Sequence, residues 1–544
     1  MANRSLTIPS FLNHSIENNG GRLSLGFVGE KPMTYNELGD SVRSVISLLE
    51  KSDIRKDDKV AILSSNMPNW GVAYFAITSM GAVVVPILPD FTPEEIANVL
   101  EHSGAVAIFV SGSLLSKISD YSNVNLRLVI ATDDFSIIAG SDGIAYEQGA
   151  VPENIYHVSE NDSAAIIYTS GTTGKSKGVV LTHKNLCFTV EGSYKIQNVG
   201  PDDVFLSILP LSHTYEQTLG LLLGIFNGAA TYYLRKAPTP SVLLPALQEV
   251  KPTLMLSVPL IMEKIYFGKI VPTFQKNGVI SFLYKISAIR KVLNRAAGKK
   301  LYKTFGGRLK FFGIGGAKVN SVVEKFLIEA RFPYAIGYGL TETSPLLAGT
   351  MVHKTSLGST GPAMPGVTLK VNDPNQATGE GEIWAKGDNV MKGYFRDPKL
   401  TSEVITHDGW FKTGDLGVIS KDGYLHIRGR LKSMIVGSSG ENIYPEEIES
   451  VINDLSPVIE SLVVQKKGKL VAMVHLNLEE LETKYRQLKK EYSEKAEVMI
   501  DEYLEEIRCY VNSKVNKFSQ IQSVVYQPVP FQKTATLKIK RFLY

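Results

Sequence analysis

The sequence predicts an α/β chain with a large N-terminal domain of βαβ-type sheets and helices over residues 1–430. A small α+β C-terminal domain is expected over residues 431–544. Three observations carry that expectation. Short β-branched runs alternate with helical patterns up to Arg430, which implies βαβ units around a largely parallel sheet. Beyond Arg430 the pattern changes to a short helix, two strands and a highly charged helical stretch. The length, 544 residues, exceeds the ~100–200 typical of one domain.

In chain order, the expected buried strands are KVAILSS (59–65), GAVVVPI (81–87), AVAIFVS (105–111), LRLVIAT (126–132) and AAIIYTS (164–170). The stretch from Trp70 to Leu88 has 19 residues without a formal charge, long enough to cross a bilayer. Gly71, Thr78, Ser79, Gly81 and Pro86 interrupt it, and its second half is the run Ala82-Val83-Val84-Val85. A buried helix turning at Gly81 into a buried strand accounts for it better. In the C-terminal part, Pro445-Glu446-Glu447-Ile448-Glu449 opens a helix, and ESLVVQKK and KLVAMVHL read as strands. A charged helix is expected from Glu479 to about Lys517.

Composition narrows the function classes. Apolar residues are 44% and charged residues 21%, with 46 Gly and 25 Pro, which excludes disordered, collagen-like and fibrous chains. Two cysteines, Cys187 and Cys509, cannot build a disulfide scaffold or a thiolate metal cluster, and suit a reducing compartment. The first twenty residues lack the charged start and apolar run of a signal peptide, so a cytoplasmic chain is expected. The net charge of +4 is unevenly spread: residues 264–310 hold twelve Lys or Arg and no Asp or Glu, interleaved with apolar residues. Such a segment suits peripheral contact with the anionic inner face of a membrane or with an anionic ligand, and equally a solvated basic face. No nucleic-acid module accompanies the charge, so nucleic acid is not an expected partner.

The strongest local signal is YTSGTTGKSKGVVLTH (168–183), directly after the strand Ala164-Ala165-Ile166-Ile167. Three glycines, five hydroxyls and two lysines fall within eleven residues. Glycines let backbone N–H groups approach an anion, hydroxyls donate to phosphate oxygens, and lysine neutralises charge. The string is not a Walker A motif: Gly174-Lys175-Ser176 would need glycine at 169, where Thr169 stands. A polyphosphate cradle is the expectation, a plain flexible turn the alternative.

TSGTTGxxKG after a hydrophobic strand resembles the signature of the adenylate-forming (AMP-binding) superfamily. GIGGA (313–317), GYGLTETSP (337–345), GEIWAKGDNVMKGYF (381–395), WFKTGDLGVISKDGYLHIRGRLKSMI (410–435) and FQKTATLKIKR (531–541) resemble its further motifs, in the same order. LPLSHTYEQT (209–218) and TLKIKR look most similar to the long-chain fatty acyl-CoA synthetase branch. The resemblance implies activation of a medium- to long-chain fatty acid by ATP and Mg²⁺ through an acyl-adenylate, then thioester formation with coenzyme A. Transfer to a carrier protein in trans is a competing acceptor.

The same resemblance implies roles for individual residues. Thr169, Ser170, Gly171, Thr172, Thr173, Gly174 and Lys177 would cradle the β- and γ-phosphates, with Thr169 and Glu342 beside the metal. Gly315, Gly316 and Ala317 would flank adenine, with Tyr338 stacking on its other face, and Gly339 and Thr341 would also belong to the ATP/AMP site. Asp415 would accept from both ribose hydroxyls, which needs an acceptor pair. Arg430 and Ile427 would lie against the nucleotide. Lys538 would be the catalytic lysine and Lys432 the hinge of a mobile C-terminal domain whose closure assembles the site. His213 and Glu216 would shape the carboxylate end of the acyl site, His213 assisting thioester formation. Ser176 replaces the common proline, Leu537 precedes Lys538 where glycine is frequent, and Val258-Pro259-Leu260 lacks the usual arginine.

Overall fold

The computed structural model describes residues 5–118, 126–140, 143–169, 176–275, 278–436, 442–466, 468–482, 496–534 and 539–544. Its large part is built on two sheets. One has eight strands, with Ser163–Thr169, Val83–Ile87, Lys59–Leu63, Ala107–Val110 and Leu128–Ala131 parallel at its centre. The other has seven, six of them parallel, among them Val204–Ser207, Leu254–Ser257, Phe311–Ile314 and Tyr334–Gly339. Parallel strands buried on both faces explain the continuous apolar runs of the sequence.

The uncharged stretch behaves as expected. Helix Pro68–Ser79 leaves Trp70, Val72, Phe75 and Ile77 fully buried, the chain reverses at Gly81 with φ +73°, and Val83–Ile87 is a central strand. Among the described residues no helix is long and apolar enough to cross a membrane.

A third sheet departs from the expectation of parallel pairing. Thr368–Asn372, Gly381–Lys386, Phe411–Ile419 and Leu425–Arg430 form a four-stranded antiparallel sheet. Gly381–Lys386 alternates buried and half-exposed side chains, the signature of a strand covered on one face only. The last two strands hold the TGD and RGR segments side by side.

A separate hydrophobic core gathers residues from Ile435 to Tyr526 around the strands Val458–Lys466, Lys469–Leu476 and Ser523–Tyr526. Helix Pro445–Asn453 covers it, as the sequence suggests, and the charged helix occupies Ala496–Lys514. This unit meets the larger one through polar contacts. Tyr444 donates to Glu380 at 3.0 Å, Arg428 pairs with both Glu380 and Glu447, and Asn320 donates to Asp454.

Candidate active site

Strand Ser163–Thr169 runs into the glycine-rich loop and returns antiparallel as Lys177–Thr182, with Thr169 opposite Lys177. Ser170, Gly171, Thr172, Thr173 and Gly174 lie outside the described residues. The returning strand leads straight into helix His183–Ile196. There Thr182 and Asn185 exchange side-chain and backbone hydrogen bonds as a capping box, an arrangement worth about 1 kcal/mol. The amide of Asn185 also donates to the carbonyls of Asp388 and Val390 at 2.8 and 2.9 Å. One residue thereby ties the glycine-rich hairpin to the GDNVMKGYF segment.

Asn389, fully buried, does the same for Glu342. Its side-chain amide donates to the carbonyls of Thr343 and Leu346, and its backbone carbonyl accepts from the Ser344 hydroxyl. The turn it holds is tight: a methyl group at Gly339 would sit 1.6 Å from the carbonyl oxygen of Pro345, so only glycine fits. Glu342 stands on the short turn Thr341–Thr343 at the end of strand Tyr334–Gly339. Its Oε1 accepts from the Tyr394 hydroxyl at 2.9 Å, and the Tyr394 ring faces the Lys177 ammonium at 5.1 Å. Burial and the Glu342 carboxylate push the Tyr394 phenol well above its ordinary range, so it remains a donor. Tyr394 was not singled out from sequence, although GYF ends one of the quoted motifs.

The second cluster is centred on Asp415, whose carboxylate is 4% exposed. Tyr338 donates to its Oδ2 at 2.6 Å and Arg430 Nε to its Oδ1 at 2.7 Å. Asp415 and Arg430 are direct partners across the antiparallel pair, which is why TGD and RGR meet. Partial desolvation opposes the charge on the half-exposed Arg430, but Asp415, Tyr338 and Glu342 outweigh it and hold the guanidinium protonated. The two clusters therefore share one electrostatic field. Ile427 packs with Tyr338 around a small core of Ala348, Ile383 and Leu425. Lys432 is exposed on the turn that follows, where Leu431 N–H bonds the Gly414 carbonyl.

The GIGGA loop leaves the C-terminal end of strand Phe311–Ile314, the position where parallel sheets present ligand sites. Gly315 is buried against the ring of Tyr215, while Gly316 and Ala317 are exposed. Tyr215 in turn lines an apolar cavity of about 60 Å³ with Phe205, Leu219, Leu256, Gly313 and Gly337. His213 lies two residues before, and its Nδ1 accepts the Tyr215 N–H at 3.3 Å, which puts the imidazole proton on Nε2. Glu216 does not line the cavity. It is 2% exposed, and burial pushes its carboxyl up to about 8 although the Ser207 hydroxyl works against that. Lys538 lies outside the described residues.

Among the described residues no group of three or more His, Cys, Asp or Glu is arranged to hold a metal ion. Glu342, with Tyr394 on one oxygen, leaves a second oxygen for a cation. A lone carboxylate fits a magnesium ion that arrives on nucleotide phosphates and keeps most of its waters.

The family model described as AMP-binding enzyme matches residues 12–395. Long chain acyl-CoA synthetase 6 of Arabidopsis thaliana is 31% identical over 78% of this chain, which spans 66% of that protein's length. A long-chain-fatty-acid–CoA ligase of Mycobacterium bovis is 29% identical over 94% of this chain and 90% of its own. Among solved structures, the O-succinylbenzoate coenzyme A synthetase of Bacillus subtilis in complex with AMP superposes with a TM-score of 0.76. It is 22% identical and covers 98% of this chain and 97% of its own, a likeness of fold.

Proposed function

The chain belongs to the AMP-binding enzyme family, and from that premise we propose that it is an acid–coenzyme A ligase acting on medium- to long-chain fatty acids. The observation that carries the nucleotide half is the buried Asp415 carboxylate, gripped by Tyr338 and Arg430 in one field with Glu342. In this reading Asp415 accepts from the ribose hydroxyls, Arg430 holds ribose or α-phosphate, and Gly315, Gly316, Ala317 and Tyr338 border the adenine. Ser170 to Gly174 and Lys177 receive the β- and γ-phosphates.

A fatty acid carboxylate attacks the α-phosphorus, the bond to the bridging oxygen breaks, and pyrophosphate leaves. The coenzyme A sulfur then attacks the acyl carbonyl, AMP leaves with the bonding electron pair, and the thiol proton is released. Most of the barrier is lowered by positioning and charge neutralisation, so no protein nucleophile is needed. Glu342 and Thr169 would hold a magnesium ion carried in on ATP, which would supply neutralisation of phosphate charge. Lys538 neutralises the charge that builds on the α-phosphate during the first step. Rotation about Lys432 then withdraws it, and the polar contacts at Tyr444, Glu447 and Asp454 are those that must open. His213, through Nε2, orients the acyl carboxylate.

The aliphatic assignment is supported by the names of the two relatives and by the mostly apolar lining of the cavity. Acid-dependent ATP–pyrophosphate exchange over saturated acids of rising length, with aryl and dicarboxylic acids beside them, tests it. Exchange is expected to be highest for unbranched acids of medium to long chain. Preference for an aryl or dicarboxylic acid would overturn the substrate class and leave the reaction type standing.

A further inference from the structure

We propose that the outer face of the helical lobe over residues 259–304 docks on an anionic phospholipid bilayer. The lobe comprises Pro259–Ile265, a wide turn Tyr266–Ile270, and the helices Val271–Gln275, Gly278–Tyr284 and Ser287–Thr304. Its inner side is firmly fixed. Arg290 and Asn294 both bind the Glu329 carboxylate on helix Ser321–Ala330, at 2.9 and 2.8 Å. Gly298 packs so close to that helix that a methyl group there would lie 2.6 Å from the Ala330 carbonyl oxygen. Tyr284 donates to Asn294 at 2.9 Å and stacks on Phe274.

The outer side is different in kind. Val279 and Phe282, three residues apart and so on one helix face, are each 67% exposed, and Val292 is 65% exposed. Ile286, between the two helices, is 45% exposed. Large apolar side chains this exposed, grouped on one element, mark an interaction surface. The same lobe carries the exposed cations Lys285, Lys291, Arg295, Lys299 and Lys300, none in an ion pair among the described residues. Among the described residues of the stretch, Arg290 pairs with Glu329 and Lys310 with Asp203. Residues 264–310 contribute no acidic side chain to this face.

Exposed apolar side chains and unpaired cations on one lobe complement an anionic bilayer, whose headgroups pair with the cations while the acyl boundary takes the apolar tips. An acidic protein would satisfy the lysines but gain little from Val279 and Phe282 standing clear of the surface. Each Lys or Arg near such a bilayer raises affinity about fivefold, an attraction that fades beyond a Debye length and hence with salt.

The test is co-sedimentation of the full chain with vesicles of phosphatidylcholine alone and of phosphatidylcholine mixed with phosphatidylglycerol. Binding to the mixed vesicles at low salt, release at high salt and no binding to phosphatidylcholine alone are expected. Val279→Ser with Phe282→Ser should weaken partitioning about tenfold or more. Lys291→Glu with Lys299→Glu should do the same, and both variants should keep the parent's melting temperature because the altered side chains are exposed. No binding to mixed vesicles at low salt would overturn the proposal. So would binding that the charge variant abolishes and the apolar variant leaves unchanged, which would assign the face to an acidic protein or other polyanion.

Discussion

Tyr394 donates its phenolic hydrogen to Glu342 Oε1 at 2.9 Å and presents its ring to the Lys177 ammonium at 5.1 Å. Two residues far apart in the chain are thereby linked: the lysine that opens the strand after the glycine-rich loop and the carboxylate proposed to meet the metal. Tyr394→Phe keeps the ring against Lys177 and removes only the hydrogen bond. Loss of a bond to a charged group should lower kcat/KM for adenylation about tenfold to a hundredfold. The magnesium concentration for half-maximal rate should rise with it, a shift that loss of packing would not produce. Pyrophosphate exchange during a magnesium titration reads both quantities, and an unmoved magnesium requirement would contradict the positioning role.

Asp415→Asn should weaken AMP binding about tenfold or more, read by calorimetry, because one acceptor becomes a donor facing Tyr338 and Arg430. The Arg430 side chain is 48% exposed, so water screens the charge left behind. The accompanying loss of stability should therefore stay near ~1 kcal/mol, below the ~3–5 typical of a fully buried pair.

How much of this was legible in the sequence differs between the two clusters. TGD and RGR stood out as motifs, and their meeting follows from antiparallel pairing of Phe411–Ile419 with Leu425–Arg430. The apolar runs of the sequence pointed to parallel strands elsewhere and marked none here, because the half-buried alternation of GEIWAK is weaker than an apolar run. The turn at Gly81 was readable because a long uncharged stretch needs a break between helix and strand. The cavity was not readable at all. Phe205, Leu219, Leu256, Gly313 and Gly337 come from different elements, and nothing in the local sequence around each marks it as a wall.

Those glycines make the wall testable. A methyl group at Gly337 would lie 3.2 Å from Leu346 Cδ1 and project toward the cavity lining. Gly337→Val should shift acid preference toward shorter chains, with kcat/KM for a long acid falling about tenfold relative to a short one. A uniform loss across all lengths would place Gly337 outside the acyl path.

Glu216 sets a pH dependence of stability. Its carboxyl titrates at about 8 in the folded chain against an ordinary value of 4.5, because burial disfavours the charge. The unfolded chain ionises first, so folding stability is lost progressively as pH rises from 4.5 to about 8, and is retained below. Glu216→Gln removes that loss. Its melting temperature relative to the parent should be higher at pH 8 than at pH 5, by the equivalent of a few kcal/mol. Equal differences at the two pH values would show that Glu216 is ionised inside the fold.

The most direct measurement is AMP release from ATP and magnesium with palmitate, with and without coenzyme A, for the parent, Lys538→Ala and Glu342→Ala. Release by the parent should depend on both acid and coenzyme A, and each substitution should lower it about a hundredfold to a thousandfold. Undiminished turnover in both variants would contradict the assigned roles. Absence of acid-dependent AMP release with any acid, from a chain that still binds AMP, would contradict the ligase itself.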